Sequence, residues 1–293
     1  MIWRCPCCEQ ALERQAKTLR CEQNHSFDLA RQGYVNLLLP QYKNSLEPGD
    51  NEAMISARKS FLRSAQHYFP LVKGMAELLK ASCSPAACLS ILDMGCGEGY
   101  YLEQIAAQLI SDTGRDKLFC SGIDISKPAI KHAAISAKHL QQGADYNAVG
   151  FSYAVASSFR LPVVNESVDI ALSVFAPLDA GETRRILNRE GLLLRVMPAA
   201  RHLYQLKEKL YDKVQLHQVE PAPDGFHLLE RNTISFSIDF ERSEDIESLL
   251  MMTPLNWHGN QQAKADLISL GRLQVEVDFD IQVLKPNDPE MAR

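Results

Sequence analysis

The stretch Leu89–Tyr101, Leu-Ser-Ile-Leu-Asp-Met-Gly-Cys-Gly-Glu-Gly-Tyr-Tyr, constrains this chain more than any other. The apolar run Leu89–Met94 predicts a strand. It ends in a loop carrying Gly95, Gly97 and Gly99, and a helical pattern follows. A strand, a glycine-rich turn and a helix start together let backbone approach a nucleotide-like ligand closely, because glycine adopts positive φ and has no side chain to hold the ligand off. The spacing is Asp93-x-Gly-x-Gly-x-Gly, not the Gly-x-Gly-x-x-Gly common among dinucleotide sites.

The rest of the chain after this loop alternates strand and helix, which predicts a mostly parallel α/β sheet. Strands are expected near 89–94, 118–123, 151–156, 168–174 and 191–196, and helices near 99–110, 127–140, 179–188 and 201–213. Two later stretches, 229–238 and 272–283, alternate apolar and polar residues. Val275, Val277, Phe279, Ile281 and Val283 form one face of the last strand. An antiparallel pair therefore closes the sheet, with a helical segment at 243–252 inserted before the final strand. Asp124 ends the second strand, about 25 residues beyond Gly99, where an acidic side chain in such a sheet accepts hydrogen bonds from ribose hydroxyls. Its plainer reading is a loop or capping carboxylate. Ser126 is expected to cap the next helix. Ser157, after the third strand, stands where such folds contact an adenine.

Four of the eight cysteines lie in the first 21 residues. Cys5, Cys8, Cys21 and His25 are spaced C-x2-C-x12-C-x3-H. Each close pair can sit on a tight turn and supply two ligands to one tetrahedral ion, and Zn²⁺ suits three thiolates and one imidazole. So short a segment buries little apolar surface, so the metal has to supply much of its folding energy. Four protein ligands leave no open position, which makes the site structural. Free thiols, a redox pair or a disulfide are the other readings. Cys7 is the spare. Between Phe27 and Leu39 aromatic and basic residues interleave. Phe27 reads as core, whereas Arg31 and Tyr34 suit either core packing or RNA contact. Pro40–Asp50 reads as a linker, with Asp50 as a helix N-cap. Met54, Ala57, Arg58, Phe61 and Leu62 then recur at helical spacing. Arg58 is expected to pair with a carboxylate or face an anion, and a second leading helix spans roughly 71–81. The expected division is thus 1–39 as a zinc-binding RNA-recognition module, 40–84 as linker and leading helices, and 85–293 as the ligand-binding domain.

Residues 1–80 hold 11 Lys/Arg against 8 Asp/Glu, and the rest hold 20 against 28. A mildly basic front on an acidic body hints at an anionic partner, or is ordinary surface variation. No signal peptide and no membrane-length apolar run is seen, and unexported cysteines read as thiols or metal ligands. A cytoplasmic protein is expected.

The glycine loop resembles motif I of class I S-adenosylmethionine (SAM) methyltransferases, in which it faces the amino-acid part of SAM. The fold so implied is Rossmann-like, a seven-stranded, mostly parallel sheet. Ser173-Val-Phe-Ala-Pro177 lacks the Asn/Asp-Pro-Pro-Tyr/Phe of amino-group methylases, which leaves ring nitrogen, carbon or oxygen targets. Phe175 either stacks on a target base or packs as a core aromatic. The whole pattern resembles one family, the 23S rRNA (guanine-N1)-methyltransferases of RlmA type. It is carried by the zinc quartet, Gly33-Tyr-Val-Asn-Leu37, Pro48-Gly-Asp50, Ala57-Arg58, Phe61-Leu62, His67-Tyr68, Leu92–Tyr101, Asp124-Ile-Ser-Lys127, Val155-Ala-Ser-Ser158, Ala176-Pro177, Arg201-His-Leu203 and Met252-Thr-Pro254. The resemblance implies N1 methylation of one guanine in a 23S rRNA hairpin, SAM and one structural zinc as cofactors, and a homodimer whose subunits share an RNA cleft. It further implies that Tyr68 and His202 join Asp93, Gly95, Gly97, Glu98, Gly99, Tyr100, Asp124 and Ser157 around SAM. Glu98 and His202 are by position the candidates to accept the N1 proton. The competing readings are a small-molecule methyltransferase and a non-catalytic zinc/RNA-binding protein with a vestigial SAM pocket.

Overall fold

A computed structural model describes residues 1–43, 49–83, 88–113, 117–143, 146–256 and 260–287. Pro48, quoted in the sequence patterns above, lies outside the described residues.

Three short strands, β1 (Glu13–Gln15), β2 (Thr18–Arg20) and β3 (Ser26–Asp28), form an antiparallel ribbon at the N-terminus. The strand β4 (Val35–Asn36) follows. Two leading helices come next, α1 (Glu52–Lys59) and α2 (Phe69–Ser82), joined through a π-helical turn at Ser60–Ser64. Asn51, not Asp50, caps α1: its side chain accepts from the Met54 amide. Asp50 instead pairs with Arg58 at 2.6 Å, the carboxylate partner expected for that arginine.

The α/β body runs β5 (Cys88–Met94), α3 (Tyr100–Thr113), β6 (Lys117–Asp124), α4 (Lys127–Leu140), β7 (Val149–Val155), β8 (Val168–Val174), α5 (Ala180–Ile186), β9 (Leu187–Pro198) and α6 (Tyr204–Leu210). It ends with β10 (Phe226–Phe240), α7 (Ser243–Met251), α8 (Gln261–Ser269) and β11 (Leu273–Pro286). Among the described residues one large sheet has the order β10-β11-β9-β8-β5-β6-β7-β4. The strands from β4 to β9 pair in parallel, and β11 is antiparallel to both β9 and β10. Seven of the strands form the expected sheet. The eighth, β4, is contributed by the front segment and pairs with β7.

Helices cover both faces of the sheet, and each face has its own core. One holds Leu71, Met75, Ile105, Ile130 and Phe279 with the alternate residues of β11: Val275, Val277, Phe279, Ile281 and Val283 are all fully buried, as the period-2 pattern requires. On the other face the N-terminal ribbon packs directly on the sheet. Trp3, Leu12, Leu19 and Leu37 share a core with Leu92, Ile123, Leu161 and Val163. The Trp3 indole donates to Ser152 Oγ at 2.8 Å, and the Arg4 amide donates to the Pro162 carbonyl at 2.9 Å. Among the described residues no helix is long and apolar enough to cross a membrane.

Candidate functional site

The end of β5 and the end of β6 are fastened together by the glycine loop. The amides of Gly95 and Cys96 both donate to the Ile123 carbonyl, and the Gly97 amide donates to Asp124 Oδ2 at 2.9 Å. Gly95, Gly97 and Gly99 all have positive φ, at 77°, 55° and 87°. A Cβ on Gly95 would meet Ala176 at 2.5 Å, so the loop lies against the end of β8. Asp124 is locked further by the Ser126 amide at 2.7 Å, and Ser126 Oγ caps α4 by accepting from Ala129. Burial raises the Asp124 carboxyl above its ordinary value, while the Ser126 and Gly97 amides oppose that rise. Burial, with the Asp124 charge adding to it, raises Asp93 to about 8.

A cleft of about 360 Å³ opens over this loop, at the C-terminal ends of the parallel strands. Sites in open α/β sheets form at these ends. Of the predicted residues, Gly95, Gly97, Asp124 and Ser157 line it, beside Ala156, Ser158, Phe175 and Ala176. Asp50 and Arg58 from the leading segment line it as well, and the Asp50 carbonyl accepts from Ser126 Oγ at 2.6 Å. The dimensions, the glycine backbone and a fixed carboxylate suit an adenosine bearing an amino-acid arm. Such a ligand needs close backbone approach and a ribose acceptor.

The other candidates stand around this cleft and not on its wall. Asp93 is buried beneath the loop, and its Oδ2 has no partner. Gly99 starts α3 against Tyr153 and Ala133. Tyr68 is buried with its ring edge-on to Phe61 and Phe279. His202 lies 4.9 Å from Phe279 and 6.1 Å from Phe175, ring centre to ring centre, so Tyr68 and His202 reach the cleft's edge through an aromatic stack. His202 Nδ1 accepts from the Asp278 amide. Burial, with Lys207 and His217 nearby, lowers the imidazole to about 3, so it is neutral near pH 7. Cys96 is buried and its thiol is pushed well up by burial, which leaves it inert as a nucleophile.

One group in this region was not foreseen. Arg63, on the π-helical turn, donates to Glu98 Oε2 at 2.5 Å, to the Glu98 carbonyl at 2.9 Å and to Glu103 Oε2 at 2.7 Å. Burial works against its charge, yet Glu98 and Glu103 outweigh it and hold the guanidinium above its ordinary value. Its ring neighbour is Tyr100, 5.8 Å away. Arg63 therefore ties the glycine loop and the first turn of α3 to the leading helices. Glu98, with its carboxylate engaged in this pair, does not line the cleft. No local pattern marks such a residue, because its partners are 35 and 40 positions distant.

In the ribbon, Cys5, Cys8, Cys21 and His25 bring their ligand atoms within 4.8 Å of one another. Cys8 and Cys21 sulfurs are 3.5 Å apart, and His25 Nδ1 is 3.4 Å from Cys21 and 3.6 Å from Cys5. Ligands at about 2.3 Å from a tetrahedral zinc are separated by about 3.7 Å, so the four converge as that ion requires. Cys7 is exposed, and its amide faces Cys5 Sγ. The residues fit one structural zinc.

Comparison with known proteins finds a match over each of these two regions. Residues 3–46 match the RlmA N-terminal zinc-ribbon family, and residues 91–191 match a methyltransferase-domain family. The chain is 31% identical over 261 residues to the 23S rRNA (guanine(748)-N(1))-methyltransferase of Streptomyces fradiae, covering 87% of this chain and 85% of the relative. It is 32% identical over 281 residues to a Micromonospora griseorubida protein, with 87% and 86% covered. It is also 29% identical over 289 residues to a Bacillus subtilis protein, with 96% of each chain covered. These last two carry provisional names as 23S rRNA (guanine-N(1)-)-methyltransferases. At that identity over that share of both chains, the protein belongs to the 23S rRNA (guanine-N1)-methyltransferases, SAM-dependent enzymes with an RlmA-type zinc ribbon ahead of a class I methyltransferase fold.

Proposed function

We propose that the chain methylates N1 of one guanine in a 23S rRNA hairpin, with SAM held in the cleft over the glycine loop. The observation that carries this reading is the placement of the ribbon. It packs on the sheet at β7, where the Trp3 indole donates to Ser152 Oγ, and the residues after β7, Ala156 to Phe159, line the cleft. The zinc ribbon and the methyl-donor cleft thus flank one strand, and a small-molecule methylase would leave such a module without a task.

When bound, SAM supplies an electrophilic methyl group. The chain's own task is alignment and exclusion of water. Asp124 is positioned to accept from ribose hydroxyls, and Gly95 and Gly97 leave room for the donor's amino-acid arm. Asp93, Glu98, Gly99 and Tyr100 shape that loop from beneath, and Ser157 flanks the adenine side. Tyr68 and His202 support the wall through Phe175 and Phe279. Guanine N1 carries a proton and lies within a base pair, so the base has to leave its stack before it can react. The zinc quartet holds the ribbon rigid for RNA contact. The working unit we propose is a homodimer with the RNA cleft between subunits, which light scattering tests directly.

The deciding assay transfers tritiated methyl from SAM to 23S rRNA lacking the modification. Its product is mapped by reverse transcription, which stops at N1-methylguanine because the Watson–Crick edge is blocked. A single new stop is expected. Label incorporated elsewhere, or only into small metabolites, overturns the reading.

A further inference from the structure

Among the described residues four Phe or Tyr side chains are exposed: Tyr42, Phe119, Phe159 and Phe175. Phe119 lies near the start of β6, away from Asp124 at its far end. Two of the other three stand at the methyl-transfer cleft, and the third, Tyr42, is linked to it through Arg160. Phe159, at 59% exposure the most open of the four, and Phe175 both line it. Arg160, next to Phe159, lays its guanidinium over the Tyr42 ring at 4.2 Å. Phe175 has φ +54°, a left-handed conformation that a bulky residue rarely adopts, and its amide is tied to the Val196 carbonyl.

Exposed rings next to an arginine, around a cavity that must receive an unstacked base, are what single-stranded RNA binding uses. Every nucleobase has a face to stack on a ring, and a guanidinium plane stacks as well while its charge favours the phosphate backbone. We propose that Phe159 and Phe175 grip the extruded target guanine at the cleft mouth, and that the Arg160–Tyr42 pair stacks the adjoining nucleobase. This rests on the rRNA reading above.

The test measures kcat and KM for 23S rRNA, SAM affinity by calorimetry and the melting temperature in Phe159→Ala, Phe159→Leu, Phe159→Trp and Arg160→Ala. A stacked base lost should lower kcat/KM for RNA by about tenfold or more in the Ala and Leu variants, with Trp staying within about threefold of wild type. The melting temperature should stay near wild type, since the altered side chains are exposed, and any change in SAM affinity should be small beside the loss for RNA. A Phe159→Leu enzyme with wild-type kcat/KM overturns the platform, because bulk without a ring then suffices. A parallel loss of SAM affinity also overturns it, assigning Phe159 to the donor wall. If the wild-type enzyme itself leaves rRNA unmethylated, the function reading falls first and the platform with it, a result unlike a selective loss in the variants.

Discussion

Two glycines of one turn answer differently to an added methyl group. Gly95 combines φ +77° with a Cβ position 2.5 Å from Ala176, so alanine there is strained and clashes with a neighbouring strand end. Gly97 has φ +55°, and the nearest atom to its Cβ position is Arg58 Cδ at 3.9 Å, so alanine there carries only the left-handed penalty of about 1–2 kcal/mol. Gly95→Ala is therefore expected to lower the melting temperature clearly more than Gly97→Ala, while Gly97→Ala weakens SAM binding because its methyl group enters the cleft. Melting curves and calorimetric titration check both, and equal melting temperatures would refute the steric argument. Asp93 gives a pH signature. Its native carboxyl titrates at about 8, against about 3.9 in an unfolded chain, so between those values the native state holds a proton that the unfolded state has lost. The stability tied to that proton is fully present below about pH 4 and is lost as pH rises through about 8. Asp93→Asn should remove this slope. Urea unfolding of both proteins from about pH 5 to 9 checks it, since wild type has to lose stability relative to the variant as pH rises. A gap that stays constant would show that Asp93 is charged in the native fold throughout.

The ribbon is built as a small element yet is held as part of the sheet. Trp3 is 1% exposed, and its indole hydrogen bond and apolar neighbours belong to the main body. Trp3→Ala should cost about 3–5 kcal/mol, and zinc removal by a chelator should lower one shared calorimetric transition. Two separate transitions, with the methyltransferase body melting as before, would contradict the shared core. This coupling was hidden from sequence reading. The zinc quartet was legible because metal ligands must come from close pairs on short turns, and β11 was legible because five apolar residues, Val275 to Val283, alternate without a break. The strand β4 is two residues long and carries no period, so its pairing with β7 could not be seen. Asp50 suits a cap by residue type alone. Asn51 took that position, and Asp50 was left to pair with Arg58. The helix α8 has a weak apolar face, with Lys264 and Leu267 as its buried residues, and went unread. Tyr68 and His202 carry no local pattern either. Only the family resemblance named them, and the fold brings them together from either side of Phe279.

At the scale of the molecule the cleft is where the sheet ends meet the leading segment, and the ribbon shares a core with the sheet that carries it. The leading segment reaches over the cleft through Asp50 and Arg58, and its partly buried ion pair closes one side. A ligand that binds only this assembled state must stabilise all three together. SAM at about 100 times its Kd should add about 2.7 kcal/mol. For a chain of this size that amounts to a rise of roughly 4 °C in one melting transition that includes the zinc ribbon. Arg58→Ala releases the leading segment and removes a positive charge that favours the ionised Asp124, while the hydrogen bonds of the glycine loop and of Asp124 stay in place. It should weaken SAM binding about tenfold, which removes about 1.4 kcal/mol of ligand-induced stabilisation at the same SAM concentration. Thermal melts of both proteins with and without SAM read this difference directly. An undiminished shift in Arg58→Ala would mean that the sheet ends alone hold the donor, and that the leading helices serve the RNA side of the cleft.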